Sequence, residues 1–232
     1  MSGRGLYVAL SGALAQQTAL DATAHDLANA STEGFARSRT VFREVLAKQA
    51  HYTSPAETVI DTEPGPRRVT QRSTDFALPR GAFLAVKGPR GERYTRACSL
   101  EIDTDGVVRT RQGAAVLGQD GRVIKASGPG IQVSRAGEIV DGDRATRLRI
   151  VSFERPERLA REEGALLAPG AAGKVTPTDA ELEVGALEES SANPGGAMVE
   201  LIGATRSFEA FQKAIDAFQE ADRRAATVGR PT

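Results

Sequence analysis

The chain of 232 residues has a single cysteine, Cys98, and two histidines, His25 and His51. One thiol cannot form an intrachain disulfide, and so few Cys and His residues cannot build the usual zinc site. The formal net charge is zero, so composition gives no support to a general binder of nucleic acids or anionic membranes. There is no run of about 18 apolar residues, so no membrane-spanning helix is predicted.

The chain also lacks the motifs of the common enzyme classes. It has no G-x-S-x-G nucleophile elbow, no phosphate-binding P-loop, no H-E-x-x-H zinc helix and no G-x-G-x-x-G dinucleotide turn. Asp103 and Asp105 precede Gly106 as at the start of a calcium loop, but the other ligands are missing, so a hairpin turn is predicted. We therefore predict no catalytic residue, no metal site and no cofactor.

The N-terminal residues have helical periodicity. Heptad positions from Leu6 to Leu27 step by 4 and 3, which predicts a helix over residues 4 to 29. The same stretch contains Ala13-Leu14-Ala15, a sequence typical of a secretory cleavage site. Because the heptad phase continues through this site, we favour an uncleaved helix. The side chains predicted to contact other subunits are Leu6, Leu10, Leu14, Leu20 and Leu27.

The C-terminal residues predict a second amphipathic helix, over residues 195 to 226. Asn193-Pro194 is an N-cap followed by proline at the first helical position. If the two terminal helices share a seam, they run antiparallel, because the first leads into the intervening chain and the second leads away from it. The predicted interface side chains of the second helix are Leu201, Phe208, Phe211, Ile215 and Phe218.

Between the helices, short β-prone runs alternate with Gly- and Asp-Gly-containing turns, which predicts an antiparallel β domain. The fold class is therefore α+β: two long terminal helices forming an antiparallel coiled-coil pair, a central antiparallel β domain and an extended connector. The predicted boundaries are residues 1–30 for the N-terminal helix, 31–75 for the connector, 76–189 for the β domain and 190–232 for the C-terminal helix, with residues 190–228 joining the terminal helical domain.

Charge is uneven along the chain although it sums to zero. Residues 67–111 hold ten basic and five acidic side chains, whereas residues 178–200 hold six acidic side chains and no basic one. Solvated faces explain this pattern most simply. The alternative is that the two runs form complementary patches that meet between copies of the protein.

Both ends of the chain are similar to a known family. Residues 5–39, GLYVALSGALAQQTALDATAHDLANASTEGFARSR, resemble the N-terminal signature of the flagellar basal-body rod, hook and hook-associated axial proteins. Asp26 stands where that signature usually has Asn. Residues 187–220, LEESSANPGGAMVELIGATRSFEAFQKAIDAFQE, resemble the family's closing motif, and D-T-x-P-G-P at residues 61–66 looks most like the proximal-rod protein. The family-motif residues are Asn29, Thr32, Gly34, Phe35, Asn193 and Pro194.

The resemblance implies a structural subunit of the bacterial flagellar rod, the drive shaft of the basal body in the periplasm. It also implies export through the flagellar export apparatus without a cleaved signal peptide. The implied partners are copies of the protein, other rod proteins and the export apparatus, with no nucleic acid and no span of the membrane. The alternatives are a distal-rod or hook paralogue of the family, or a secreted β-domain binding module that begins near Gln16. An enzyme is a distant third.

Overall fold

The computed structural model of the chain describes residues 2–41, 43–47, 50–54, 58–128 and 130–228. The chain forms two compact units. Unit 1 comprises Met1–Ala28, Ser38–Val59 and Pro194–Thr232, and unit 2 comprises Asn29–Arg37 and Ile60–Asn193. The chain therefore leaves unit 1 and returns to it twice.

Two long helices belong to unit 1. The first, α1, spans Ser2–Ala28, and the second, α2, spans Pro194–Val228. Proline at the start of α2 lacks only an N–H that has no partner in a first helical turn. Both helices confirm the sequence prediction. In the described part of the chain, neither combines the length and apolar character that crossing a membrane requires.

The remaining structure is mostly short strands, consistent with the predicted α+β class. In chain order the strands are β1 (Ser38–Thr40), β2 (Arg43–Ala47), β3 (Ala50–Ser54), β4 (Thr58–Ile60), β5 (Arg67–Val69), β6 (Phe76–Ala77), β7 (Ala82–Gly88), β8 (Gly91–Thr95), β9 (Leu100–Ile102), β10 (Val108–Thr110), β11 (Ala115–Val116), β12 (Gln132–Val133), β13 (Glu138–Asp141), β14 (Arg144–Arg147), β15 (Ile150–Phe153), β16 (Ala160–Arg161), β17 (Leu167–Ala168), β18 (Val175–Pro177), β19 (Glu183–Val184) and β20 (Ala186–Glu188).

The segment expected to be an extended connector contains five of these strands, β1 to β5. β2 and β3 pair antiparallel from Arg43 opposite Ser54 to Ala47 opposite Ala50, and β1 pairs with β4. Residues 42, 48–49 and 55–57 of the expected connector lie outside the described residues. Strands of three to five residues give too few alternating positions for a pattern to be read from sequence.

Unit 2 is organised around the central strand β7. Along one edge β7 pairs with β8; along the other, its first half pairs with β15 and its second half with β11. These pairings are antiparallel, and the main path of the sheet runs β16-β17-β8-β7-β11-β10-β9. The predicted antiparallel sheet is confirmed.

The core of unit 2 lies on both faces of this sheet. Leu84 and Val86 of β7 pack into one buried apolar cluster, and Phe83 and Ala85 pack into the other. Side chains alternate between the faces of a strand, so a strand apolar at successive positions must be covered on both sides. β7 is therefore the element that ties the two halves of the core together.

Candidate assembly interface

The inner face of α2 is a heptad line of apolar residues. Ala197 is buried, and the large side chains along the line are half-buried. These are the predicted residues Leu201, Phe208, Phe211, Ile215 and Phe218, joined by Ala204. The strict steps of 4 and 3 keep the line on one side of the helix over six turns.

α1 meets these aromatic rings with small residues. A Cβ placed on Gly5 would lie 2.7 Å from Cζ of Phe218, and a Cβ on Gly12 would lie 2.6 Å from Cζ of Phe211. Ala9, between these glycines, is only 4% exposed. Because Gly5 and Gly12 have no Cβ, the rings of Phe218 and Phe211 can pack closely against α1.

The contact line of α1 was not identified in the sequence. Gly5 and Gly12 meet α2, Ala9 between them is buried, and the same spacing continues through positions 16, 19, 23 and 26, which are buried or half-buried. Asp26, at its end, is 6% exposed, and both of its carboxylate oxygens accept the Ser38 N–H, at 3.0 and 2.9 Å. The heptad spacing of Gly5, Ala9 and Gly12 could have indicated this line, but small residues contribute little to an apolar pattern.

The predicted leucines of α1 divide into two groups. Leu6, Leu20 and Leu27 are half-buried, whereas Leu10 and Leu14 are 46% and 48% exposed. Tyr7, one turn before Leu10, is 75% exposed and extends the same apolar stripe. On α2, Met198, Val199 and Ile202 are more than half exposed. Each helix therefore has apolar surface in addition to the line facing its partner.

The N-terminal family motif forms a tight turn in unit 2. Thr32 donates its backbone N–H to the Asn29 carbonyl at 3.0 Å, and its hydroxyl lies 3.2 Å from Asn29 Oδ1. Gly34 has a φ of +64°, and a Cβ there would lie 2.6 Å from Cα of Ala97. Only glycine fits this combination of backbone angle and close backbone approach. Phe35 is 1% exposed, and the Arg161 guanidinium lies 4.3 Å from the centre of its ring.

The two family motifs are hydrogen-bonded to each other within unit 2. Gly34 N–H donates to the Glu188 carbonyl at 2.8 Å, and Ser191 N–H donates to the Phe35 carbonyl at 2.9 Å. Arg37 N–H donates to the Ser191 hydroxyl at 2.8 Å. Asn193 is exposed and immediately precedes Pro194, where α2 begins. We call residues 29–37 with residues 186–193 the junction, because the chain enters and leaves unit 2 there.

A buried ion pair anchors the junction to the sheet. Arg96 and Glu188 each have a side-chain exposure of 4%. Arg96 donates from Nε and Nη2 to the two Glu188 oxygens, at 2.8 and 2.5 Å, and its remaining N–H groups reach backbone carbonyls of residues 78–82. Gly65 N–H adds a donor to Glu188 Oε1 at 3.3 Å. Two buried charges satisfied in this way tolerate burial; either alone would not.

The basic and acidic runs of the sequence meet inside unit 2. Arg67 pairs with Glu183, and Arg68 Nε lies 2.9 Å from Glu189 Oε1. The pairing of β5 with β20 brings these groups together, with Arg68 opposite Leu187. These residues of the two runs are thus paired within one chain, which does not require a second copy.

The side chains considered for metal binding or reactivity, Asp103 and Cys98, lie in a turn and in the core of unit 2. Asp103 Oδ1 accepts the N–H groups of Asp105 and Val107, at 2.9 and 2.8 Å, which confirms the predicted hairpin turn between β9 and β10. Cys98 is 1% exposed, and burial raises the pKa of its thiol. Over the described ranges of the chain, no group of three His, Cys, Asp or Glu side chains could hold a metal ion.

Two amphipathic terminal helices joined to a β-sheet unit are typical of a subunit that assembles with others. Comparison with known proteins identifies the family of such subunits. Residues 6–35 match the family description "Flagella basal body rod protein", and residues 183–228 match "Flagellar basal body rod FlgEFG protein C-terminal". The two matched segments contain residues 29–35 and 186–193 of the junction. They also contain most of α1 and all of α2.

Whole-length relatives give the same result. The flagellar basal-body rod protein FlgF of Caulobacter vibrioides is 31% identical over 236 residues, covering 95% of this chain and 95% of that protein. FlgF of Escherichia coli is 30% identical over 238 residues, covering 93% and 94%. FlgG of Bacillus subtilis, also a flagellar basal-body rod protein, is 28% identical over 253 residues, covering 94% and 96%. The chain therefore belongs to the flagellar basal-body rod protein family, and the expected likeness to its proximal-rod member is confirmed.

Proposed function

We propose that this protein is a structural subunit of the flagellar basal-body rod, and that α1 and α2 pair as an antiparallel coiled coil that assembles with other subunits. The observation that carries the proposal is the division of α1 into two apolar faces. One face presents Gly5 and Gly12 to α2, with the buried Ala9 between them, and the other leaves Tyr7 and Leu10 exposed.

The contact positions favour an antiparallel pair. Residue 5 meets residue 218 and residue 12 meets residue 211, so the number rises along α1 as it falls along α2. Both steps are seven residues, the length of one heptad. A pair held in this way leaves the outer stripes free for neighbouring subunits.

Burial of the outer stripes supplies the free energy of assembly in this proposal. Full burial of one large apolar side chain contributes about 1.5–3 kcal/mol, from which the cost of association is subtracted. Tyr7, Leu10 and Leu14 on α1 and Met198 and Ile202 on α2 are the side chains with most to gain. Repetition of these contacts around a tube would resist torsion, which is what a drive shaft requires.

The replacement Phe208→Asp tests the proposal. Phe208 lies half-buried on the α2 line, and a carboxylate there would be desolvated by every packing partner. We expect loss of rod assembly and of swimming, with the β-sheet unit still folded by circular dichroism. Ala210→Asp is the matched control, because it adds the same charge at an exposed position of the same helix. Normal swimming of the Phe208→Asp strain would contradict the proposal.

The partners in this proposal are copies of this chain, other rod proteins and the flagellar export apparatus, with export occurring without cleavage of a signal peptide. Peptide-resolved mass spectrometry of purified basal bodies tests this part. Recovery of residues 2 to 27 from the basal body is the expected result. Recovery only of a periplasmic form that begins near Gln16 would instead support a secreted β-domain module.

A further inference from the structure

A groove of about 820 Å³ lies on the sheet of unit 2. Its volume falls within the range of about 300–1,000 Å³ that is typical of ligand sites. Its lining includes the apolar side chains of Val107, Ala115 and Leu166. The charged side chains of Lys87, Arg109, Lys125 and Glu163 also line it.

Strand register places the small residue Ala115 between two basic residues, Lys87 and Arg109. Lys87 on β7 lies opposite Ala115 on β11, which lies opposite Arg109 on β10. Directly opposed residues of antiparallel strands project from the same face of a sheet. Lys87 and Arg109 are therefore two strand spacings apart, roughly 9.6 Å, with only a methyl group between them. Val107, which bridges to Lys125, lies on the same face as Arg109.

The carboxylates nearest to this row are already paired with arginines. Glu92, opposite Lys87, accepts Arg149 Nε at 2.9 Å. Asp103 accepts Arg109 Nε at 2.5 Å, and Arg109 Nη1 also donates to a backbone carbonyl. As far as the structure describes the chain, Lys87 and Lys125 themselves have no hydrogen bond and no ion pair. Glu163, which also lines the groove, has no side-chain partner in the described residues either.

We propose that this groove binds an extended, acidic peptide segment of another protein chain, with Lys87 and Lys125 pairing with its carboxylates. The two unpaired ammonium groups beside the apolar side chains of Val107 and Ala115 suit a segment of alternating acidic and small apolar residues. Between Lys87 and Arg109 the sheet presents only the small side chain of Ala115, which leaves room for an extended chain to lie against it. Glu163 is placed to accept backbone N–H groups or a basic residue of the same segment. The inference does not rest on the assembly role of α1 and α2.

The test uses the full-length protein and an eight-residue peptide of alternating Glu and Ala, acetylated at its N-terminus. Nuclear magnetic resonance of the labelled protein should show shifts confined to residues around Lys87, Ala115 and Lys125 as the peptide is added. The double variant Lys87→Gln, Lys125→Gln should weaken binding roughly fivefold, which is the expected combined loss for two partly exposed charge pairs. Added salt should weaken it further through screening.

The matched control is Lys174→Gln, because Lys174 is an exposed lysine of the same unit outside the groove. Its affinity for the peptide should stay within about 1.5-fold of the unmodified protein, the size expected for one distant surface charge. Three results would overturn the proposal: shifts spread over the surface, equal weakening by Lys174→Gln and the double variant, or equal binding of a peptide with Lys in place of Glu. Binding of a galacturonic acid oligosaccharide without binding of the peptide would also overturn it and would assign the groove to an anionic glycan.

Discussion

Replacement of Gly12 by leucine should separate α1 from α2. A Cβ at this position would lie 2.6 Å from Cζ of Phe211, whereas carbon atoms in optimal contact are about 3.5–4.0 Å apart. The Phe211 ring must therefore leave its place. Leucine favours a helix over glycine by roughly 0.7 kcal/mol, so a loss of stability cannot come from helix propensity.

The expected loss follows from two effects. Phe211 is half-buried, so its displacement forfeits about half of the 1.5–3 kcal/mol that full burial of a large apolar side chain contributes. Overpacking adds about 1–3 kcal/mol. After the gain in helix propensity, we expect a net loss of about 2–3 kcal/mol, which is roughly 30- to 150-fold in the equilibrium between paired and separated helices.

Hydrogen exchange of the α1 amides measures this equilibrium, and swimming in soft agar reports its consequence. The matched control is Gly203→Leu, because a Cβ on Gly203 would have no heavy atom within 4 Å. We expect faster exchange along α1 and failure to swim for Gly12→Leu, and unchanged exchange along α1 for Gly203→Leu. Equal exchange in the two variants would refute the contact between Gly12 and Phe211.

Three further predictions concern unit 2. Gly34→Ala should destabilise it by more than about 2 kcal/mol in urea denaturation, because a left-handed φ and a backbone clash both oppose a Cβ. Glu188→Ala should cost about 3–5 kcal/mol in the same assay, since it leaves the Arg96 charge buried alone. The Arg93 guanidinium, hydrogen-bonded to Glu162, lowers the pKa of that carboxyl below its ordinary value of 4.5. The stabilising effect of the Arg93–Glu162 pair is therefore fully present above about pH 4.5 and is lost as the pH falls through the folded-state pKa of Glu162. Glu162→Gln should accordingly flatten the fall in unfolding free energy at acid pH.

Each of these predictions has a control variant, in which a similar substitution is made at a site that lacks the contact under test. Gly121 also has a positive φ, but a Cβ there meets nothing within 4 Å, so Gly121→Ala should lose only about 1–2 kcal/mol. Glu189→Ala removes an exposed partner of Arg68 and should lose at most about 1 kcal/mol. Glu181→Gln changes an exposed carboxyl and should leave the fall in unfolding free energy at acid pH unchanged. Losses in the controls as large as in the variants would contradict the corresponding contact.

The apolar line of α2 could be predicted from the sequence, whereas the residues of α1 that meet it could not. The large side chains of α2, such as Phe208 and Phe211, dominate any apolar pattern. Gly5 and Gly12 carry no hydrophobic signal of their own, because what they supply is space for a partner ring. The leucines beside them form a regular apolar pattern of their own, and Leu10 and Leu14 are nearly half exposed.

Long-range pairing in unit 2 was outside what the sequence could specify. β5 and β20 are separated by more than a hundred residues, and neither has a pattern that selects the other. Their register nevertheless decides that Arg67 and Arg68 meet Glu183 and Glu189 in the same chain. Charge runs indicate that a complement exists, but tertiary structure decides whether it lies in the same chain or in another.

The two parts of the family signature have different physical tasks. The helical part places apolar residues on α1 and α2, where they are available for pairing and assembly. The part around Gly34 and Phe35 instead joins residues 29–37 to residues 186–193, through backbone hydrogen bonds over the buried Arg96–Glu188 pair. A substitution in the junction should therefore unfold unit 2, whereas a substitution such as Phe208→Asp should prevent assembly of a folded chain. Because the defects differ in kind, circular dichroism and rod assembly measured on the same variants separate the two tasks.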